Sequence, residues 1–223
     1  MKMKGKKELI SGVVLIAVFC LWTLLIQTVD VQSAGVNGTD IGLATVNVKF
    51  HSLTGVSMTL YNITDWLGLV PLFVCMGFAF AGLIQLIKRK SLIKVDADII
   101  FLGIYYVIVI AGYLVFEMIP INYRPILINS FMEASYPSST TLLVLSVMPT
   151  LVFQVERRAG NNIVRKLVFV LTAVFSAFMV IGRLVSGVHW ITDIIGSVFL
   201  SAGLYYIYKA VVLLWNSAKS FRN

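Results

Sequence analysis

A chain of 223 residues that is 59% hydrophobic and 13% charged, with mean hydropathy +0.92, is too apolar for a water-soluble domain, which is nearer half apolar and a quarter charged. Its class is a multi-span membrane protein. The net charge of +8 does not indicate a nucleic-acid partner, because the basic residues flank the apolar runs, and two cysteines form neither a disulfide framework nor a metal-ligand spacing.

Six apolar stretches follow in chain order, at about 9–29, 66–87, 99–119, 141–155, 167–187 and 190–214. The first follows "MKMKGKK" and begins like a signal peptide. Its apolar run of about 20 residues exceeds a signal core, so a retained helix is expected. Residues 30–65 are polar, with "GVNGTD" as a turn signal. Their end, "VSMTLYNITD", predicts an interfacial stretch, with Trp66 after it as an aromatic anchor. Asn37–Thr39 and Asn62–Thr64 fit the glycosylation pattern, with nothing to indicate a glycosylating host. Cys20 and Cys75 lie inside apolar stretches and read as small core or lipid-facing residues. The fourth stretch is short for a span of about 20 residues, so its helix must begin earlier or tilt. With no internal repeat, the expected fold is all-α and polytopic. Six transmembrane helices form one compact bundle, a single membrane-embedded domain over 1–223.

Basic residues set the orientation. Lys2, Lys4, Lys6 and Lys7 precede the first span, and Lys88, Arg89, Lys90 and Lys94 follow the second. Arg157, Arg158, Arg165 and Lys166 separate the fourth and fifth, and Lys209, Lys219 and Arg222 come last. These 15 fall on one side, against Lys49, Arg124 and Arg183 on the other. Both termini are therefore expected in the cytoplasm. The charge excess also attracts anionic lipid. Residues 30–65, 117–140 and 183–193 then face outward.

Chemistry concentrates in the last two outer segments. In "GRLVSGVHWITD", His189 and Asp193 are four apart, which at a helix start puts both on one face. A carboxylate there can accept the proton of one imidazole nitrogen and leave the other as nucleophile or base. Arg183 adds a planar positive fork suited to phosphate. The plainer reading is an interfacial ion pair with a snorkelling arginine. In "SYPSSTTLL", Ser138, Ser139 and Thr140 are N-cap residue types with free N–H groups beneath them, and helix N-termini favour anions. In "NYRP", Arg124 precedes a proline, in extended backbone.

Arg124-Pro125, Pro137-Ser138-Ser139 and Arg183…His189…Asp193, in that order and spacing, resemble the signature of the type 2 phosphatidic acid phosphatase family. These lipid phosphate phosphatases are related to vanadium haloperoxidases. The resemblance implies that His189 attacks phosphorus to form a phosphohistidine, with Asp193 holding its ring. It implies that Arg124, Arg183 and the backbone and hydroxyls of Ser138, Ser139 and Thr140 hold the phosphoryl oxygens. It also implies an outward-facing site for a lipid phosphate in a plasma membrane, without metal or other cofactor. The small chain and basic inner loops point to a bacterial membrane.

Three positions depart from that signature. Glu117 stands where the family has lysine, Gly182 replaces the serine before Arg183, and Thr140 replaces the histidine that protonates the leaving group. General acid catalysis is worth about 100- to 10,000-fold. Three explanations follow. A lipid diphosphate releases a monophosphate and needs little acid, which favours a polyprenyl diphosphate. Alternatively His51, Glu117 or Glu133 supplies the proton, a raised carboxyl pKa being required of the acids. For His51 the plainer reading is a solvated loop residue, and for Glu117 a pairing with Arg124 or Arg183. Finally, the site binds, transports or senses a lipid phosphate without cleaving it. A purely structural membrane protein leaves the three-part motif unexplained.

Overall fold

The computed structural model describes residues 2–220, apart from the side chains of Lys2 and Lys4; Arg222, counted above among the inner basic residues, lies outside the described residues. Six segments are long and apolar enough to cross a membrane. They are α1 (Lys2–Thr28), the pair α3 (Met58–Leu67) and α4 (Leu69–Arg89), α5 (Ala97–Met118), α6 (Ser139–Arg158), α7 (Asn162–Val185) and α8 (Ile191–Ser220). The fourth span starts two residues before the apolar stretch and ends three after it. Its first turn is Ser139, Thr140 and Thr141, polar residues that no hydropathy window counts. The 30–65 segment is more ordered than its polarity suggests. It carries α2 (Ala44–Thr54) as well as α3. Extended pairing among the described residues is confined to isolated bridges, such as Tyr123 with Ala134.

The chain is an integral membrane protein with α8 at the centre of the bundle, against α1, α5, α6 and α7. Leu102, Tyr105 and Val109 of α5 meet Val147 and Phe153 of α6 and Tyr208 and Val212 of α8 in the main core. Helices in lipid gain little from apolar contact alone, so hydrogen bonds between them matter. Here Tyr105 Oη donates to the Ser146 carbonyl (2.9 Å) and Gln154 Nε2 to Tyr208 Oη (2.7 Å). Phe73 and Phe80 of α4 and Val174 and Ile181 of α7 are exposed outward, as lipid-facing side chains are.

The two ends of the bundle differ. At one end Arg89 and Arg158 pair with Asp96, Arg157 and Arg158 with Asp98, and Lys209 with Glu8 at 3.0 Å. At the other, α1 is tied to the start of α8 and to the chain before α6. Trp22 Nε1 donates to the Thr192 carbonyl (3.1 Å), and the Thr23 and Tyr136 hydroxyls share a hydrogen bond (2.7 Å). The functional candidates all lie at this second end.

Candidate active site

Two chain reversals build the site. The first is the turn from α7 into α8. Gly187 has φ +70°, and a Cβ there would collide with the Gly55 carbonyl, so only glycine lets the link between α2 and α3 close over this turn. Ser57 N–H donates to the Ser186 carbonyl (3.0 Å) at the same place. The turn delivers His189 and Trp190 to the start of α8. Asp193, in the first turn, reaches back to accept the Trp190 N–H (2.9 Å), as an acidic residue does in a capping box.

The second reversal is residues 119–138. The Tyr123–Ala134 bridge sets Arg124 beside Glu133 and Asn122 beside Ser135: Arg124 N–H donates to the Glu133 carbonyl (3.1 Å) and Ser135 N–H to the Asn122 carbonyl (3.0 Å). Trp190 Nε1 anchors this segment through the Tyr123 carbonyl (2.8 Å).

These contacts define the state of His189. Its Nδ1 lies 3.2 Å from the Ser135 carbonyl and 3.1 Å from Ser135 Oγ. A carbonyl only accepts, so Nδ1 carries the proton and Nε2 keeps a lone pair. Asp193 does not take that proton directly, as the i,i+4 spacing suggests. Its Oδ2 is 3.7 Å from Nδ1, and the Ser135 hydroxyl stands between them, donating to Oδ2. Asn122 Nδ2 donates to the other oxygen (3.1 Å). Asp193 is fully buried with three donors on it. Burial pushes the His189 imidazole pKa down to about 4. The charges of Arg124 and Arg183 push the same way, and Asp193 opposes them. The ring is therefore neutral at physiological pH.

The arginines converge on α3. Arg183, in the last turn of α7, sits 4.7 Å from the Tyr61 ring centroid, and Arg124 5.7 Å from the same ring, in cation–π range. Each also has one carboxylate: Glu133 is 3.0 Å from Arg124 Nη2, and Asp65 is 3.6 Å from Arg183 Nη1. Neither pairs with Glu117, the pairing expected above; α3 and the 119–138 segment bring nearer carboxylates. Gly182 permits the approach of α3, because a Cβ there would lie 2.7 Å from Thr64 Cγ2. The serine of the family signature has no room in this packing.

Eight buried side-chain nitrogen or oxygen atoms among the described residues have no hydrogen-bond partner, and five belong to three residues: Arg124 Nε and Nη1, Arg183 Nε and Nη1, and His189 Nε2. Buried donors without partners are costly, and four donor nitrogens with one lone-pair nitrogen at the same end of the bundle suit a phosphate. Ser138 caps α6 without a side-chain hydrogen bond to its N–H groups; its Oγ donates to Thr141 Oγ1 (3.1 Å). Ser139 and Glu117 line a small cavity with His189. Thr140 instead lines a neighbouring cavity of about 480 Å³ with Asp65, Ser139 and apolar residues of α4, α5 and α6, including Leu69, Val109 and Leu143. His51 is apart from both. It lies on α2, half-buried rather than solvated in a loop, with Nε2 donating to the Gly187 carbonyl (3.1 Å) and its ring against Trp190. Glu133, the remaining candidate proton donor, is committed to Arg124.

Ser135, Asn122, Tyr61 and Asp65 are site residues that the motifs do not contain. The i,i+4 spacing of Tyr61 and Asp65 in "VSMTLYNITD" is the one signal that foreshadows a shared face. Ser135 and Asn122 lie in irregular chain with no such signal.

A family model described as "PAP2 superfamily" matches residues 17–217. No curated protein matches the chain. Among solved structures it is similar to the first transmembrane PAP2 type phosphatidylglycerolphosphate phosphatase from Bacillus subtilis, with a TM-score of 0.64 at 17% identity, covering 91% of this chain and 96% of that one. At that identity the likeness is one of fold.

Proposed function

We propose that this chain, which belongs to the PAP2 superfamily, is one membrane-embedded phosphatase unit that hydrolyses a lipid-linked phosphate or diphosphate, a polyprenyl diphosphate above all. The observation that carries this reading is the set of five unpartnered polar atoms on Arg124, Arg183 and His189. In the reaction, His189 Nε2 attacks the terminal phosphorus in line with the bond that breaks. Ser135 and Asp193 hold the Nδ1 proton, and the lipid product leaves with the bridging oxygen. Water then cleaves the phosphohistidine and releases inorganic phosphate. Arg124, Arg183 and the open N–H groups at the start of α6 stabilise charge on the phosphoryl oxygens, which is most of what phosphoryl transfer asks of a protein. The apolar cavity beside Thr140 and Ser139 suits a hydrocarbon chain reaching the site from the lipid. The basic residues at the opposite end of the bundle support a site on the extracytoplasmic face, in this reading that of a bacterial plasma membrane.

The absence of an acid at Thr140 supports a diphosphate, whose leaving group is already stable as an anion. The same threonine favours a second reading, a protein that binds, transports or senses the lipid phosphate without cleaving it. Phosphate release by purified, reconstituted protein across lipid monophosphates and diphosphates separates the two. The enzyme reading expects diphosphate turnover that disappears in His189→Ala. Lack of His189-dependent turnover on every lipid phosphate the protein binds would sink it.

A further inference from the structure

The end of the bundle opposite the phosphate site has a cleft of its own. It measures about 730 Å³ and lies between the link from α4 to α5 and the last turns of α8. Arg89, Lys94, Asp96, Asp98, Trp215 and Lys219 are on its walls. The acids among them are already neutralised. Asp96 is held by Arg89 at 2.8 Å, by Arg158 at 3.3 Å and by Gln85 Nε2 at 3.0 Å. Asp98 is held by Arg158 at 3.0 Å and by Arg157 at 3.6 Å. Lys94 and Lys219 are exposed, and neither has an ion-pair partner among the described residues. With the partners Arg157 and Arg158 counted, five cations stand against two carboxylates.

Two further observations fall in the same place. Asn216 is on the cleft wall, and its Nδ2 is a buried donor without a hydrogen-bond partner, which is costly unless something supplies an acceptor. The remaining wall is apolar. Ile93, in the short turn Leu92–Lys94, is 94% exposed, and Leu92 beside it is exposed as well. Trp215 is 51% exposed, with its ring edge-on to Phe101 of α5 at 5.6 Å between centroids. A tryptophan at the end of a span sits at head-group depth. An isoleucine left bare beside Lys94 gains free energy only if lipid covers it.

We propose that this cleft is a second lipid site, which binds an anionic phospholipid of the leaflet at the basic end of the bundle. Its phosphate is held by Lys94 and Lys219, its polar head accepts from Asn216, and an acyl chain lies along Ile93 and Trp215. The volume is in the range of a ligand pocket, and basic pockets between spans suit head groups that carry more than one negative charge. A free phosphate would satisfy the lysines but leave Ile93 and Trp215 bare, so the fitting source of the anion is a lipid. The site differs from the diffuse attraction of basic loops for anionic lipid, which depends on total charge and not on which lysines carry it. It is also independent of the phosphatase reading, because no residue of the phosphate site takes part.

The test titrates the full chain in detergent micelles with cardiolipin or with phosphatidylcholine and reads bound lipid by native mass spectrometry. One variant carries Lys94→Gln and Lys219→Gln. A second carries Lys88→Gln and Lys166→Gln, which remove the same charge from exposed positions at the same end but outside the cleft. Wild type should hold cardiolipin more tightly than phosphatidylcholine. The cleft pair should weaken cardiolipin binding roughly 30-fold, at about fivefold per lysine, while the outside pair changes it little. Ile93→Ser should weaken it on the order of tenfold, because an apolar side chain is no longer covered. Equal losses in the two lysine pairs would reduce the effect to total charge and overturn the site. Unchanged affinity in Ile93→Ser would make it a site for phosphate alone and overturn the lipid. Phosphatidylcholine bound as tightly as cardiolipin would overturn the recognition of an anion.

Discussion

Ser135→Ala removes one oxygen and tests the linkage between His189 and Asp193. The variant keeps the Ser135 carbonyl, 3.2 Å from His189 Nδ1, and the backbone hydrogen bond to Asn122 (3.0 Å). It loses the hydroxyl 3.1 Å from Nδ1 that also donates to Asp193 Oδ2. Trp190 N–H and Asn122 Nδ2 remain on the carboxylate. A hydrogen bond to a charged group is worth about 1.5–3 kcal/mol. At about 1.4 kcal/mol per factor of ten, kcat/KM should fall roughly 10- to 150-fold. The pH profile separates positioning from mere stability. In the wild type the imidazole titrates near 4 instead of its ordinary 6.5, so the acid limb of kcat/KM lies far below neutrality. A carboxylate stripped of one donor stabilises the imidazolium more strongly, so in Ser135→Ala that limb should move up. The linkage sign is definite. A histidine depressed from 6.5 to about 4 binds fewer protons folded than unfolded across that window. Stability is therefore complete above pH 6.5 and declines as pH falls toward 4, and Ser135→Ala should narrow the window. Steady-state phosphate release from pH 4 to 8, with thermal unfolding in parallel, measures both. An unchanged acid limb with unchanged kcat/KM, or a loss confined to thermal stability, would refute the bridging role.

Gly182→Ser restores the family's residue yet should lower stability by about 1–3 kcal/mol, typical of overpacking, because its Cβ meets Thr64 Cγ2 at 2.7 Å. Adding Thr64→Ala should recover most of the loss in thermal unfolding. Thr140→His faces a cavity with room for the ring and should raise lipid monophosphate hydrolysis by up to about 100- to 10,000-fold, with a smaller effect on diphosphates; an equal gain on both would break the leaving-group argument. For topology, a cysteine at Asn129 in a background lacking Cys20 and Cys75 should react with an impermeant thiol reagent in intact cells. Labelling only after the membrane is broken would reverse the orientation.

The spans were legible because a lipid core tolerates only long apolar helices, and hydropathy reads that demand directly. Hydropathy alone missed the start of α6, since Ser139–Thr141 are polar, but the N-cap residue types at Ser138–Thr140 marked it, and Ser138 is the N-cap. Arg124, Arg183, His189 and Asp193 were legible through spacing, but what joins them was not. Ser135 acts through one hydroxyl in irregular chain, and no periodicity marks such a position. The departure at Gly182 became intelligible only with Thr64 against it, a contact between residues far apart in sequence. Tyr61 and Asp65 hid in a segment read as interfacial, although their i,i+4 spacing was visible.

The most direct measurement is the identity of the covalent intermediate. Protein quenched in alkali during turnover of a lipid diphosphate, then digested and analysed by peptide mass spectrometry, should carry phosphate on His189. The neutral ring with Nδ1 protonated and Nε2 unpartnered makes Nε2 the expected point of attachment in the proposed mechanism. Arg183→Ala should reduce the trapped fraction, and His189→Ala should abolish it. Turnover that proceeds without phosphohistidine, or phosphate found on any other residue, would contradict the account.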